Sequence, residues 1–126
     1  MATKFYKCPH CGNVIVKLVD GGPVPVCCGE TMKVLDPKDA DGAYEKHVPH
    51  VTKVDDCTLR VEVGSVPHPM TPEHHISFIY VETAAGGQFV QLDPAQPAVA
   101  EFCTCKAPVT AVYEYCNLHG LWVREM

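Results

Sequence analysis

Between residues 58 and 63 the chain alternates strictly, with apolar Leu59, Val61 and Val63 separated by charged Arg60 and Glu62. A period of two sends one set of side chains to a core and the other to water, which predicts a half-buried β-strand. The pattern recurs at short intervals. Ile76, Phe78 and Tyr80 are expected on one face of the next strand, residues 88–92 form another, and 98–103 and 109–115 follow, parted by the turn-prone Lys106-Ala-Pro108. No stretch carries a helical period, so the chain from His47 onward reads as all-β, an immunoglobulin-like β-sandwich.

The first 36 residues read differently. Cys8-Pro-His-Cys11-Gly precedes an apolar run at 14–19, a turn at Asp20-Gly-Gly-Pro23, and then Val26-Cys27-Cys28-Gly29. This predicts a hairpin with cysteines at both open ends. So short a unit cannot bury enough apolar surface to fold unaided, and a bound metal would make up the deficit. The expected division is a metal-stabilised module over 1–36, a polar linker over 37–43, and the sandwich over 44–126.

Composition changes this picture little, but charge excludes some functions. The net charge is −5, and Lys and Arg are scattered, so no nucleic acid is expected as a partner. No apolar run approaches the roughly 20 residues that span a bilayer, so no membrane is expected either. The start of the chain, Met1-Ala-Thr-Lys-Phe-Tyr-Lys-Cys8, has no apolar signal region, which reads as cytoplasmic. In that setting eight cysteines beside seven histidines point to metal ligation over disulfides.

Cys8, Cys11, Cys27 and Cys28 offer four thiolates, a set suited to tetrahedral zinc or iron, and spacing alone does not separate the two. Adjacent residues of an extended chain point to opposite sides, so Cys27 and Cys28 reach one metal only if the backbone bends between them. His10, between two of these cysteines, reads as an exposed loop side chain. Further on, donor-type residues gather at Glu45-Lys46-His47-Val-Pro49, Pro67-His68-Pro-Met70, Glu73-His74-His75 and Cys116-Asn-Leu-His119-Gly-Leu-Trp122. One such histidine would be ordinary; four groups near strand ends are a pattern.

The paired cysteines of the first unit resemble desulforedoxin and the N-terminal module of desulfoferrodoxins, where the metal is iron. Glu45-Lys46-His47-Val-Pro49, His68-Pro-Met70 and Cys116-Asn-Leu-His119-Gly resemble the catalytic domain of superoxide reductases, of both the neelaredoxin and desulfoferrodoxin kinds. The resemblance spans essentially the whole chain in the expected order. It implies two iron ions per chain and neither haem nor flavin. Cys8, Cys11, Cys27 and Cys28 would hold one iron; His47, His68, His74 and His119 would surround the other in a plane, with Cys116 as axial thiolate. The choice of His74 over His75 rests on the resemblance, since His75 stands where the family often has an aromatic residue. His50 is expected at the surface or in packing.

The chemistry agrees with that ligand set. Five protein donors leave a sixth position open on a ferrous ion, and a thiolate opposite it favours electron donation. Iron and Cys116 together leave about one positive charge, to which Lys46 adds another, so the site attracts an anion although the chain is negative. The resemblance implies that superoxide is reduced to hydrogen peroxide with electrons from an external rubredoxin-like donor, by a homodimer. Lys46 would attract the anion and order water for proton delivery; Glu45 would fill the open position in the oxidised resting state. The alternatives are a non-catalytic iron electron-transfer protein and a zinc-stabilised structural protein. Cys57, after Asp55-Asp56, reads as a free thiol in a turn. Cys103 and Cys105 read as small buried or edge side chains facing the same way, Trp122 and the tyrosines as packing, and Met70 as packing near the metal.

Overall fold

Short β-branched and aromatic runs broken by Gly, Pro and Asp give twelve strands and no helix among the residues that the computed structural model describes: 3–38, 48–63, 68–105 and 107–126. The chain divides into two compact units, Met1–Asp36 and Pro37–Met126.

In the first unit β1 (Phe5–Lys7) lies between β2 (Val14–Val16) and β5 (Lys33–Val34), while β3 (Val26–Cys27) pairs with β4 (Glu30–Thr31). The expected pairing of 14–19 with the cysteine-bearing strand is therefore corrected: β2 pairs with β1, and β3 turns straight back onto β4. The strand also stops early, leaving Leu18 and Val19 exposed. Tyr6, Cys8 and Met32 form a buried cluster here, with Ile15 and Cys27 packed against it, and Phe5 is buried as well.

The second unit is a sandwich. One sheet runs in the order β10 (Val99–Cys103), β7 (Thr58–Val63), β6 (Pro49–Asp55); the other in the order β12 (Gly120–Glu125), β11 (Val109–Cys116), β8 (Ile76–Thr83), β9 (Gly86–Gln91). A single core cluster draws Leu59, Val61 and Val63 from the first sheet and Ile79, Val81 and Val112 from the second, so the sheets pack face to face.

Two sequence expectations change. Ile76, Phe78 and Tyr80 do not share one face throughout, because the β8–β11 register shifts between Tyr115 and Cys116. Beyond that irregularity Ile79 and Val81 take the core face, and Phe78 stacks instead on Tyr115 with ring centroids 5.7 Å apart. Lys38, near the start of the expected linker, belongs to the second unit's sheet: it bridges to β12, its N–H donating to the Leu121 carbonyl at 2.9 Å and its carbonyl accepting from Val123 N–H at 2.8 Å, while 39–43 lie outside the described residues.

Candidate metal centres

Two short turns bring the four cysteine sulfurs together. The Cys8 amide donates to the Asn13 carbonyl at 2.9 Å and Gly12 N–H to the Cys8 carbonyl at 3.2 Å, closing a knuckle around Cys8–Cys11. Cys27 pairs with Glu30, so Cys28 and Gly29 are the two central residues of a tight hairpin, with φ of +53° and +75°. Positive φ at both is the type I′ geometry that suits a two-residue hairpin. It supplies the bend that adjacent cysteines need to face one point.

The ligand atoms of Cys8, Cys11, Cys27 and Cys28 lie within 4.8 Å of one another. His10 and Cys11 N–H groups both point at Cys8 Sγ from 3.4 Å. Chiefly the Cys11 amide holds the Cys8 thiol down at about 6, whereas crowding by Cys8 and Cys11 pushes Cys28 up to about 12. Four sulfurs this close do not all ionise together unless a cation lies among them, which is what a metal supplies. His10 stays at the surface, paired with Glu30 at 2.9 Å.

The second cluster is hung on strand ends. His68, His74, Cys116 and His119 offer ligand atoms within 4.8 Å of one another. Cys116 closes β11 and His119 lies in the turn into β12, so one hairpin carries two donors and places His119 Nδ1 3.6 Å from Cys116 Sγ. Burial pushes the Cys116 thiol up, while the Leu118 and His119 backbone N–H groups pull it the other way. A bound cation would complete the stabilisation of the thiolate.

His68 is buried, and its Nδ1 lies 2.7 Å from the Pro69 carbonyl. A carbonyl only accepts, so Nδ1 carries the proton and Nε2 keeps the lone pair a metal requires. The His74 ring meets those of His68 and His119 edge-on, with centroids 4.7 and 5.0 Å away. His75 turns aside and is tied through Nδ1 to the Thr71 carbonyl at 3.0 Å. Met70 packs against the core with Ile76 N–H on its sulfur at 3.4 Å, and His50 is exposed on β6. Glu45, Lys46 and His47 lie outside the described residues. Imidazoles with one thiolate suit iron, and the donors present fit that metal.

Three positioning residues were missed in the sequence. Asn117 accepts from His75 N–H and donates to the Glu73 carbonyl, both at 2.9 Å, clasping the two donor-bearing loops together. Lys38 Nζ donates to the His119 carbonyl at 2.9 Å. Thr71 Oγ1 accepts from His74 N–H at 3.1 Å. Asn117 lies between the donors Cys116 and His119, and that adjacency is its only signal in the sequence. Glu114 is fully buried on β11, and burial holds its carboxyl well above the usual carboxylate range.

A cysteine-only centre in one unit and an imidazole–thiolate centre in the other, on all-β frames, define a metalloprotein with two dissimilar sites. The chain belongs to the desulfoferrodoxin family: the family model described as Desulfoferrodoxin matches residues 39–125, and that described as Desulfoferrodoxin, N-terminal domain, matches 2–35. It is 46% identical to a desulfoferrodoxin of Nitratidesulfovibrio vulgaris, over 97% of this chain and 95% of that one. A superoxide reductase of Pyrococcus horikoshii is 39% identical, over 71% of this chain and 92% of its own. Among solved structures, the superoxide reductase from Treponema pallidum superposes with a TM-score of 0.83 at 30% identity, covering 98% of both chains.

Proposed function

We propose that His47, His68, His74, His119 and Cys116 hold the catalytic iron, and that Cys8, Cys11, Cys27 and Cys28 hold the second. The chain is a superoxide reductase with two iron centres, and superoxide is its substrate. The observation that carries the ligand assignment is the convergence of three imidazoles and one thiol, from the segment before β8 and from the β11–β12 hairpin, to within 4.8 Å.

When bound, iron supplies the single electron and an open position for the anion. The protein does the rest. Cys116 brings its negative charge to a buried strand end, and Asn117 and Lys38 hold the turn that carries His119. Lys46 would draw the anion in and order water for proton delivery, and Glu45 would serve as a further carboxylate ligand for the oxidised iron. Reduction of one superoxide consumes one electron and two protons and yields one hydrogen peroxide. The electron comes from a rubredoxin-like carrier, and the enzyme works as a homodimer. A cytoplasmic setting suits six cysteines that are free, five of which serve as thiolate ligands.

The test is to mix anaerobically reduced protein with a known amount of superoxide and to quantify peroxide and dioxygen. One peroxide per superoxide, no dioxygen and loss of the ferrous state is the expected result. Equal peroxide and dioxygen with iron unchanged would mean dismutation and overturn the reading.

A further inference from the structure

Three cysteines belong to neither metal cluster. Cys57 is not the free thiol expected in its turn; it is disulfide-bonded to Cys105, with Cα atoms 4.4 Å apart. Cys103 and Cys105 do face the same way, but at the surface, with sulfurs 3.7 Å apart, and all three residues are exposed. The sheet imposes this grouping. Cys103 pairs with Thr58 across β10–β7, and Thr104 N–H carries the ladder one step further, to the Cys57 carbonyl at 2.8 Å. Gln88 Nε2 ties down the Cys103 carbonyl at 2.6 Å. A structural staple needs two cysteines. Here a third sulfur is held against one end of the bond, on a fixed strand, open to solvent.

We infer that Cys57, Cys103 and Cys105 form a thiol–disulfide exchange site, reduced by dithiols and re-oxidised by hydrogen peroxide. The oxidant's origin rests on the superoxide-reducing activity; the sulfur chemistry does not. In exchange, the Cys103 thiolate attacks Cys105 Sγ. A Cys103–Cys105 bond forms, the Cys57–Cys105 bond breaks, and Cys57 leaves as a thiolate that takes a proton from water. No net oxidation occurs in that step. A dithiol then opens either disulfide, delivering two electrons and two protons to the protein sulfurs and becoming a disulfide itself. On return, the Cys57 thiolate attacks peroxide, the O–O bond breaks, and hydroxide leaves to be protonated to water. The resulting sulfenic acid condenses with the Cys105 thiol, releasing a second water and restoring the disulfide. A peroxide-producing enzyme would thus carry a second, sulfur-based site that consumes its product.

The experiment treats the iron-loaded full chain with dithiothreitol, then with added hydrogen peroxide, quenching each stage by alkylation and mapping disulfides by mass spectrometry. The expected record is three alkylated cysteines after dithiothreitol, one peroxide consumed per disulfide regained, and both Cys57–Cys105 and Cys103–Cys105 pairs in the oxidised protein. In Cys57→Ser the exposed Cys103 thiolate attacks peroxide instead, water leaves, and the sulfenic acid condenses with the neighbouring Cys105 thiol, so the Cys103–Cys105 pair should still form. Cys103→Ser should lose the exchanged pair at least tenfold while reducing superoxide as before. Cys116→Ser should keep the sulfur cycle with added peroxide, which separates failure of this site from failure of the iron site. If Cys103 is alkylated quantitatively at every stage, or if Cys57→Ser leaves Cys103 and Cys105 both free after peroxide, the disulfide is a staple and the inference fails.

Discussion

The two metal clusters are built on opposite plans. In the first unit the four donors lie within residues 8–28, on or next to two turns, and a buried cluster there holds Tyr6, Cys8 and Met32, one of which is itself a donor. In the second, donors more than forty residues apart in sequence meet at the ends of strands whose core is filled by Leu59, Val61, Ile79, Val81 and their neighbours. Where apolar burial is scarce, the metal completes the fold. Where the fold stands on its own core, donors can be held for reaction. The difference lies in what each metal is for, and it can be probed by removing donors one at a time.

The largest effect is expected at Cys116. Cys116→Ser removes the buried thiolate and should lower the superoxide-reducing rate by more than about 100-fold, since even outer-shell partners of a metal cost about 10–100-fold. Circular dichroism should still report an intact β-sandwich, because the core cluster depends chiefly on its aliphatic members. Cys8→Ser should do the converse. Amide-exchange protection over residues 3–36 should collapse, while that of β7, β8 and β11 stays and the rate of superoxide reduction changes little. If the first unit keeps its protection without Cys8, the proposed division between a folding metal and a working metal is wrong.

The two plans were also unequally legible. The strands of the sandwich could be read wherever alternation was clean, as at Leu59, Val61 and Val63, all of them buried. Reading failed at β8, because the shift that moves the core face from Ile76 to Ile79 belongs to the pairing with β11 and leaves no mark in β8 alone. It failed in the first unit because a three-residue strand carries too little pattern to name its partner, and the tight Cys28-Gly29 turn chose β4. The donor residues were visible as chemistry. That Asn117 ties two loops together is a matter of tertiary contact, as is the closeness of Cys57 to Cys105 across 48 residues.

Asn117 gives a smaller and more selective test. Asn117→Ala removes both the acceptor for His75 N–H and the donor to the Glu73 carbonyl. Iron affinity at the His/Cys centre should fall by about 10–100-fold, with the four-cysteine centre untouched. Asn117→Asp keeps the acceptor and loses the donor, so its affinity should fall between the two. Measured by competition with a chelator, equal affinities for all three proteins would show that the clasp does not position the donors.

The smallest effect is expected at Lys46, whose proposed role is toward the anion and not the metal. Lys46→Ala should retain its iron and slow the encounter with superoxide by about tenfold at low salt, because a local positive charge raises association rates by roughly that much or more. The gap should narrow as salt is added, since at about 0.15 M charges beyond about 8 Å are largely screened. The comparison sharpens if the rate for the four-cysteine variant Cys8→Ser follows the parent's salt dependence, because the steering charge then belongs to the catalytic unit alone. Equal rates for the parent and Lys46→Ala across the salt series would remove Lys46 from the mechanism and leave the +1 charge of iron and Cys116 as the whole attraction.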